Sequence, residues 1–575
     1  MAHSAWPQRK MAQRLLFCCV ATAAAASVTR PAASTPHLLR LRGGAKPPAL
    51  PKAVSAKPPA VPKTVTKLRE KLSFAGAPPF VLACAVFAAM DSLLLGYDIG
   101  CVSGILLFVQ EEFSLSSAQA ERFAAAMNSA AIAGALVSGW VADTFGRKPA
   151  LFMSSCAFAV GSTLMALAGS YEHLVRCRWL QGFGVGAGLL ISPMFIAEVA
   201  PKQFRGALVT LGEVSLSFGV LLAFLLNYLL SGVPNQWRWM IFLGAAPDIL
   251  LALRMLFLPE SPRFLIGKGK VDKARAVQRR ILRPAPEAEA DAQLDEMVRD
   301  MATEEEGTWL DLLRPPTSTA VVVGTVLAML QHAVGIESII YYSTKIFQQA
   351  GFESKSAAIG GTVAMGLVKL LFETHSLLNL DHAGRRPLLL LGAVGLTASL
   401  LGLGLSMQLK LAGGVAGPSP ATAGICVSLA AYMAFHALSY GPITWLVLAE
   451  ILPNKVRGKA MGIATMANRL TSFLVASSFL TMSERLQWSG SFYLYAAVAA
   501  ASFVFYALFV PETSGLTLEQ ISPIFADPAS LVRQNAADLR RRATAVLTRD
   551  NLIAAATAAA LFGCIAVGLG TAAGS

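Results

Sequence analysis

The chemistry this 575-residue chain offers begins with ionisable side chains set in apolar runs. Asp98 stands inside the segment FVLACAVFAAMDSLLLGYDIG, and Arg178 stands near the start of another apolar stretch. A charged group at membrane depth costs several kcal/mol unless it is paired or wetted, so such residues are functional candidates. Burial favours the protonated form of an acid and a nearby arginine favours the ionised form, so the surroundings of such an acid decide its proton affinity. Lys369, Glu373 and His375 add ionisable groups to a third apolar run, where the Lys369–Glu373 spacing permits an i,i+4 ion pair. A salt bridge suits them better than a metal, since nothing else gathers His, Cys and Asp at metal-ligand spacing. No catalytic nucleophile, nucleotide loop or cofactor motif emerges, and an enzyme is not expected.

The elements that must carry these groups follow from composition. The chain is 55% hydrophobic and 14% charged, whereas soluble domains average about 25% charged residues. Twelve apolar segments, near 79–109, 123–142, 149–168, 174–196, 206–231, 237–258, 317–345, 356–378, 387–409, 421–447, 460–482 and 491–510, each suffice to cross roughly 30 Å of hydrocarbon as a helix. The expected organisation is a leader over 1–75, a six-helix bundle over 78–258, a cytosolic helical linker over 259–316, a second six-helix bundle over 317–510 and a cytosolic tail over 511–550. Basic residues after the second, fourth and sixth spans place both ends of this core in the cytosol. The apolar stretch 551–573 is a possible additional membrane helix. The eight cysteines have no regular spacing and do not suggest a disulfide scaffold.

The net charge of +14 is concentrated in the leader, where 13 Lys or Arg face one acid between Arg9 and Lys71. The remainder is nearly neutral, which argues against nucleic acid as a partner. Basic residues up to Arg14, followed by the apolar run Leu15 to Ser27, have the layout of a secretory signal, and the acid-poor stretch behind it suits an organelle transit peptide or a disordered cytosolic leader. The expectation is a multi-pass protein of the plasma membrane or of an internal membrane such as the plastid envelope.

The two bundles repeat one another. GWVADTFGRK (Gly139 to Lys148) after the second span matches NLDHAGRRP (Asn379 to Pro387) after the eighth. AEVAPKQFRG (Ala197 to Gly206) after the fourth matches AEILPNKVRG (Ala449 to Gly458) after the tenth. Two such halves with a substrate path between them form a transporter layout. With GYDIG (Gly96 to Gly100), Arg178 and the QGFGVGAG that follows, PESPRF (Pro259 to Phe264), QHAVGIESIIYYS (Gln331 to Ser343), GPITW (Gly441 to Trp445) and PETSG (Pro511 to Gly515), the chain resembles the sugar porter family of the major facilitator superfamily. Within that family it is most similar to plant polyol and monosaccharide proton symporters, on TLGEVSLSFG (Thr210 to Gly219), AMGLVKLLF (Ala364 to Phe372), Asn468 and Arg469.

The resemblance implies an all-α transmembrane fold of two six-helix bundles related by a pseudo-two-fold axis. It implies symport of a small neutral sugar or polyol with protons by alternating access, in a monomer embedded in the lipid bilayer, with no cofactor. A facilitative uniporter and a non-transporting sugar sensor are the alternatives. Asp98 and Arg178 would couple the proton. Gln331, His332, Glu337, Tyr341, Tyr342, Glu213, Trp445 and Asn468 would bind substrate, with a helix break at Gly335 turning Gln331 and Glu337 inward. Glu213 and Glu337 could instead pair with Arg469 or Lys369. Gly139, Asp143, Gly146, Arg147, Lys148, Glu198, Arg205, Asp381, Arg385, Arg386, Glu450 and Arg457 would form cytosolic ion-pair latches holding the outward-facing state, joined by Glu260, Arg263 and Glu512. The chain departs from the family pattern at Cys177, Thr144 and Arg469, the last sitting where glucose-type members carry Trp.

Overall fold

The computed structural model describes residues 78–542 apart from 201–204, 256–257, 284, 304–306, 414–416, 418 and 517. The leader 1–75, the end of the expected tail and the apolar stretch 551–573 lie outside the described residues, as do the side chains of Arg205 and Asp381.

The first six spans are α1 (Pro79–Glu112), α2 (Ser117–Thr144), α3 (Arg147–Ala166), α4 (Tyr171–Val199), α5 (Arg205–Leu230) and α6 (Gln236–Met255). Their starts are written in the sequence. Pro79 opens α1 where its missing N–H is harmless, Ser116 and Gln119 form a reciprocal capping box on α2, and the Ser170 hydroxyl accepts from the His173 N–H on α4. Glycines then let the helices approach. A β-carbon on Gly96 of α1 would sit 1.9 Å from the Leu216 carbonyl oxygen of α5, and one on Gly186 of α4 would sit 1.9 Å from that of Ala131 in α2.

The linker folds into α7 (Pro262–Gly267), α8 (Val271–Leu282), α9 (Glu287–Thr303) and a 3-10 turn at Trp309–Leu313. Its basic and acidic runs pair with each other: Arg275 reaches Asp295 at 3.0 Å, and Arg279 reaches Asp291 at 2.6 Å and Glu287 at 2.5 Å.

In the second half, the seventh span is broken into α10 (Thr317–Ala333), α11 (Ile336–Tyr341) and α12 (Ser343–Gln349), with Gly335 at φ 92° in the first break. The eighth and ninth are α13 (Lys355–Ala383) and α14 (Arg385–Gly413). The tenth divides into α15 (Pro420–Leu438) and α16 (Tyr440–Ile451), just before Gly441-Pro442. The eleventh and twelfth are α17 (Arg457–Ala476) and α18 (Phe479–Phe509), followed by α19 (Leu518–Ile521) and α20 (Pro528–Arg542). The apolar pattern had put the eleventh span at 460–482 and the twelfth at 491–510. Instead α17 stops at Ala476, and the polar Ser483–Gln487 stretch lies inside α18, which kinks at Gln487 with φ 62°.

Ten membrane-crossing helices, by length and apolarity, are present among the described residues. The two remaining expected spans, α6 and α17, are 20 residues each and therefore long enough, but they carry Asp248 and Arg469 in mid-helix. The tail packs back onto the second half: the Asn535 amide donates to the Leu508 carbonyl at 2.9 Å, and Arg386 pairs with Asp538 at 2.8 Å.

Candidate functional site

Asp98 and Arg178 meet inside the first half. Arg178 Nη1 donates to Asp98 Oδ1 at 2.6 Å and to Gln181 Oε1 at 2.6 Å, while Gln181 Nε2 donates to the same Asp98 oxygen at 2.8 Å and to Ser162 at 2.9 Å. Arg178 is 1% exposed and lies over the Phe123 ring. Both bonds to Asp98 use Oδ1; Oδ2 is buried with no hydrogen-bond partner. A crevice of about 10 Å³ adjoins the pair, lined by Tyr97, Cys101, Ser162, Gln181 and apolar neighbours.

The second half presents a polar constellation on α10, α11 and α17. The Gln331 amide donates to the carbonyls of Tyr440 and Gly441 at 3.0 and 3.1 Å, and its oxygen accepts from Asn468 at 2.9 Å. His332 Nε2 lies 2.9 Å from an Arg469 guanidinium nitrogen. An arginine only donates, so Nε2 accepts and the imidazole proton belongs on Nδ1. That nitrogen sits 3.1 Å from Glu337 Oε1, away from hydrogen-bonding alignment, and Glu337 also accepts from Ser472 at 2.7 Å. The alternative of Glu337 paired with Arg469 is not what the structure shows: His332 stands between them. Tyr342 donates to the Ala476 carbonyl at 2.6 Å and stacks on Phe479, as a packed wall residue does. Tyr341 is buried with an unpartnered hydroxyl, and Trp445 is half-buried against the core.

The two halves touch through further polar groups. Glu373 accepts from Ser217 of α5 and from Lys369, which itself donates to Ser217 at 2.9 Å, and Glu213 lies within electrostatic range of Glu373 and Lys369. Nearer the end away from the linker, Glu121 accepts from the Thr481 N–H at 2.8 Å, Thr344 donates to the Ser103 carbonyl at 2.9 Å, and Lys355 pairs with Glu111.

The profile of the family described as "Sugar (and other) transporter" matches residues 84–525. The chain belongs to that family. Probable polyol transporter 4 of Arabidopsis thaliana is 34% identical to this transporter over 453 residues, covering 78% of this chain and 85% of the relative. The putative metabolite transport protein YwtG of Bacillus subtilis is 33% identical over 441 residues, 77% of this chain and 94% of that one. Among solved structures, the partially occluded inward-open xylose transporter XylE from E. coli superposes with a TM-score of 0.65 at 26% identity, over 76% of this transporter and all of XylE. A XylE structure described as a proton:xylose symporter bound to 6-bromo-6-deoxy-D-glucose gives 0.63 at 26% identity, over 78% of this chain and 99% of that one. The fold is therefore that of the major facilitator superfamily, and the protein is a multi-pass membrane transporter rather than an enzyme.

The linker-side charges of the transporter close within each half, and they do so twice in the same way. Arg147 Nε and Nη2 grip Glu198 at 3.1 and 2.9 Å, and Glu260 accepts from the Arg147 N–H at 2.9 Å, capping α3 after Gly146 at φ 117°. Arg385 grips Glu450 at 3.2 and 3.0 Å, and Glu512 accepts from the Arg385 N–H at 3.0 Å, capping α14 after Gly384 at φ 80°. Asp143 is an exposed, more distant partner of Arg147 at 3.5 Å, while Arg457 donates to the Leu452 carbonyl rather than to an acid. Lys148 adds its backbone N–H to Glu260 at 3.3 Å, and Gly139 packs near Leu190.

Sequence reasoning passed over two polar residues at this site. Gln181 needed only its position one helical turn after Arg178. Asn128, on α2, is 1% exposed with both amide atoms unpartnered, and it faces Tyr341 from the opposite half. Its signal is a lone amide in the apolar run FAAAMNSAAIAGAL.

Proposed function

We propose that this transporter is a proton-coupled symporter of a small neutral monosaccharide or polyol, with Asp98 as the proton carrier. The observation that carries the reading is the divided role of the Asp98 carboxylate. One oxygen holds Arg178 and Gln181, and the other is buried and free to take a proton. The polyol names of the plant relatives and the proton:xylose symport named for XylE support the same reading. Gln331, His332, Glu337, Asn468, Glu213 and Trp445 supply amide, imidazole, carboxylate and aromatic groups suited to a hydroxylated solute. Tyr341 and Asn128 offer unpartnered polar atoms where the halves face each other. Tyr342 serves as packing behind them.

The linker-side ion pairs act as clasps that stiffen each half while the halves rock, and the cross-half bonds at the far end support an inward-facing reading. The protein works as a monomer, and its basic leader directs it to the plastid envelope or another internal membrane, or else remains on a transporter of the cell surface. Imaging chains with and without 1–75 separates these addresses.

The decisive experiment measures solute-evoked current and internal acidification in cells expressing the protein, across glucose, xylose, inositol, sorbitol and mannitol at two external pH values. Inward current with acidification, abolished by Asp98→Asn, is the expected result. Saturable labelled flux without either signal overturns proton coupling in favour of a uniporter.

A further inference from the structure

Two acids of the first half have no part in the reading above. Asp91 lies on α1 seven residues before Asp98, which is two turns and roughly 10 Å nearer the linker side. Asp248 follows Pro247 on α6; it is 4% exposed, and its Oδ2 has no hydrogen-bond partner. Both line a crevice of about 40 Å³ among α1, α3, α4 and α6. Leu94 and Phe158 border this crevice and also the one beside Asp98, so the two adjoin inside one half, apart from the interface between the halves.

Small residues create the space. A β-carbon on Gly188 would stand 3.1 Å from Ser154 Oγ and 3.7 Å from Asp91 Oδ1. Ser192 of α4 lies beside Asp91. The charged groups whose fields reach Asp248 are Asp91 and Asp98, both on α1, while α3 and α4 give the crevice serines, glycines and apolar side chains. Among the described residues, the crevice lining contains no basic side chain, and Arg178 is engaged at Asp98. A buried carboxylate without a counter-ion is stable only as the neutral acid or with a bound cation. Serine hydroxyls and carboxyl oxygens around a space of this size also give water the partners it needs.

We propose that Asp91 and Asp248 form a second proton site, through which Asp98 exchanges its proton with the linker-side aqueous phase inside the first half. The proposal rests on the reading of Asp98 as proton carrier. In the step, the O–H bond of the Asp98 acid breaks and its proton passes through crevice water to the Asp91–Asp248 pair. Asp98 returns to the carboxylate that Arg178 grips, and the pair then gives one proton to linker-side water. The proton thus leaves by a path separate from the solute's.

The test uses the purified full-length transporter. Infrared difference spectra between acid and alkaline pH read the carboxylic acid C=O stretch without any solute. Wild type is expected to show a band that Asp248→Asn and Asp91→Asn lose, that Asp98→Asn keeps, and that Asp248→Glu restores at a shifted position. Spectra identical in wild type, Asp91→Asn and Asp248→Asn overturn the proposal, as does a band abolished by sodium at constant pH, which would make the site a cation site. In liposomes, proton-driven sorbitol accumulation is expected to slow roughly tenfold or more in Asp248→Asn and to recover in Asp248→Glu. Unchanged accumulation in Asp248→Asn, with Asp98→Asn inactive, sinks the second site and leaves the carrier reading standing. Accumulation surviving in Asp98→Asn sinks the carrier reading instead, and the spectra then still decide whether the pair titrates.

Discussion

Removing either member of the Asp98–Arg178 pair should have unequal consequences for stability. An arginine cannot shed its charge inside a protein, whereas a carboxylate left alone can take a proton. Asp98→Leu leaves a guanidinium that is 1% exposed with Gln181 Oε1 as its one remaining acceptor among the bonds described, since the carboxylate supplied the other. Breaking a buried pair in this way costs about 3–5 kcal/mol. Arg178→Met leaves an acid that neutralises itself and keeps its bond from Gln181 Nε2 at 2.8 Å, so the cost should fall to about 1–2 kcal/mol. Asp98→Asn retains an acceptor at the Oδ1 position and should fall between the two. The double variant Asp98→Leu/Arg178→Met removes both charges and should be more stable than Asp98→Leu alone. Thermal unfolding of the four variants in one detergent, followed by tryptophan fluorescence, reads this order. If Arg178→Met is as damaging as Asp98→Leu, or the double variant is no better than Asp98→Leu, the argument from the unsheddable charge is wrong.

Other expectations follow from local geometry. Gly186→Val should abolish folded yield in fluorescence-detected size exclusion, because even its β-carbon would meet the Ala131 carbonyl oxygen at 1.9 Å. Glu198→Gln and Glu450→Gln should each cost about 1–2 kcal/mol in thermal unfolding, and their combination should equal the sum, because the two clasps share no partner. Hydrogen bonding from Arg279 holds the Asp291 carboxyl below its usual range. Its stabilisation of the α8–α9 packing is therefore complete above about pH 4, the unfolded value, and is lost as pH falls through the lowered folded value. Hydrogen exchange of the linker should show that loosening only on strong acidification, and Asp291→Asn should show it at neutral pH. Asn128→Leu should reduce solute affinity severalfold without lowering thermal stability, because both its amide atoms are already unpartnered; a large loss of stability would mark Asn128 as structural.

The parts legible in the sequence are those written as period or as repeated loop chemistry. The helical spans were readable from apolar length, and the paired clasps from the duplicated acid, glycine and basic residues. The break of the seventh span was readable from Gly335. The Lys369–Glu373 pair was readable from its i,i+4 spacing, although its bond to Ser217 across the halves was not. The start of α18 was missed because Ser483, Glu484 and Arg485 read as a loop, while packing onto Glu121 and the aromatic cluster around Phe479 keeps them helical. Asn128 and Asp248 were passed over because one amide or one acid in an apolar run gives no partner by spacing. Their significance arises only when another helix is seen opposite them.

The route by which proton and solute would influence one another runs through the broken seventh span. Its break at Gly335 turns α11 away from the line of α10, placing Glu337 beside His332 and Ser472 in the second half. One turn later Tyr341 reaches the first half, within electrostatic range of Asp98 and Arg178 and opposite Asn128. A solute hydroxyl that satisfied Tyr341 and Asn128 would therefore touch the environment of the ion pair without displacing it. Neutralising Asp98 would loosen its grip on Arg178, whose Nε and Nη2 are unpartnered. Because linkage is reciprocal, any gain in solute affinity on protonation must appear as an equal gain in proton affinity on solute binding. Tyr341→Phe removes the hydroxyl that joins the two sites while leaving both in place, so it should weaken this mutual dependence more than it weakens either affinity alone.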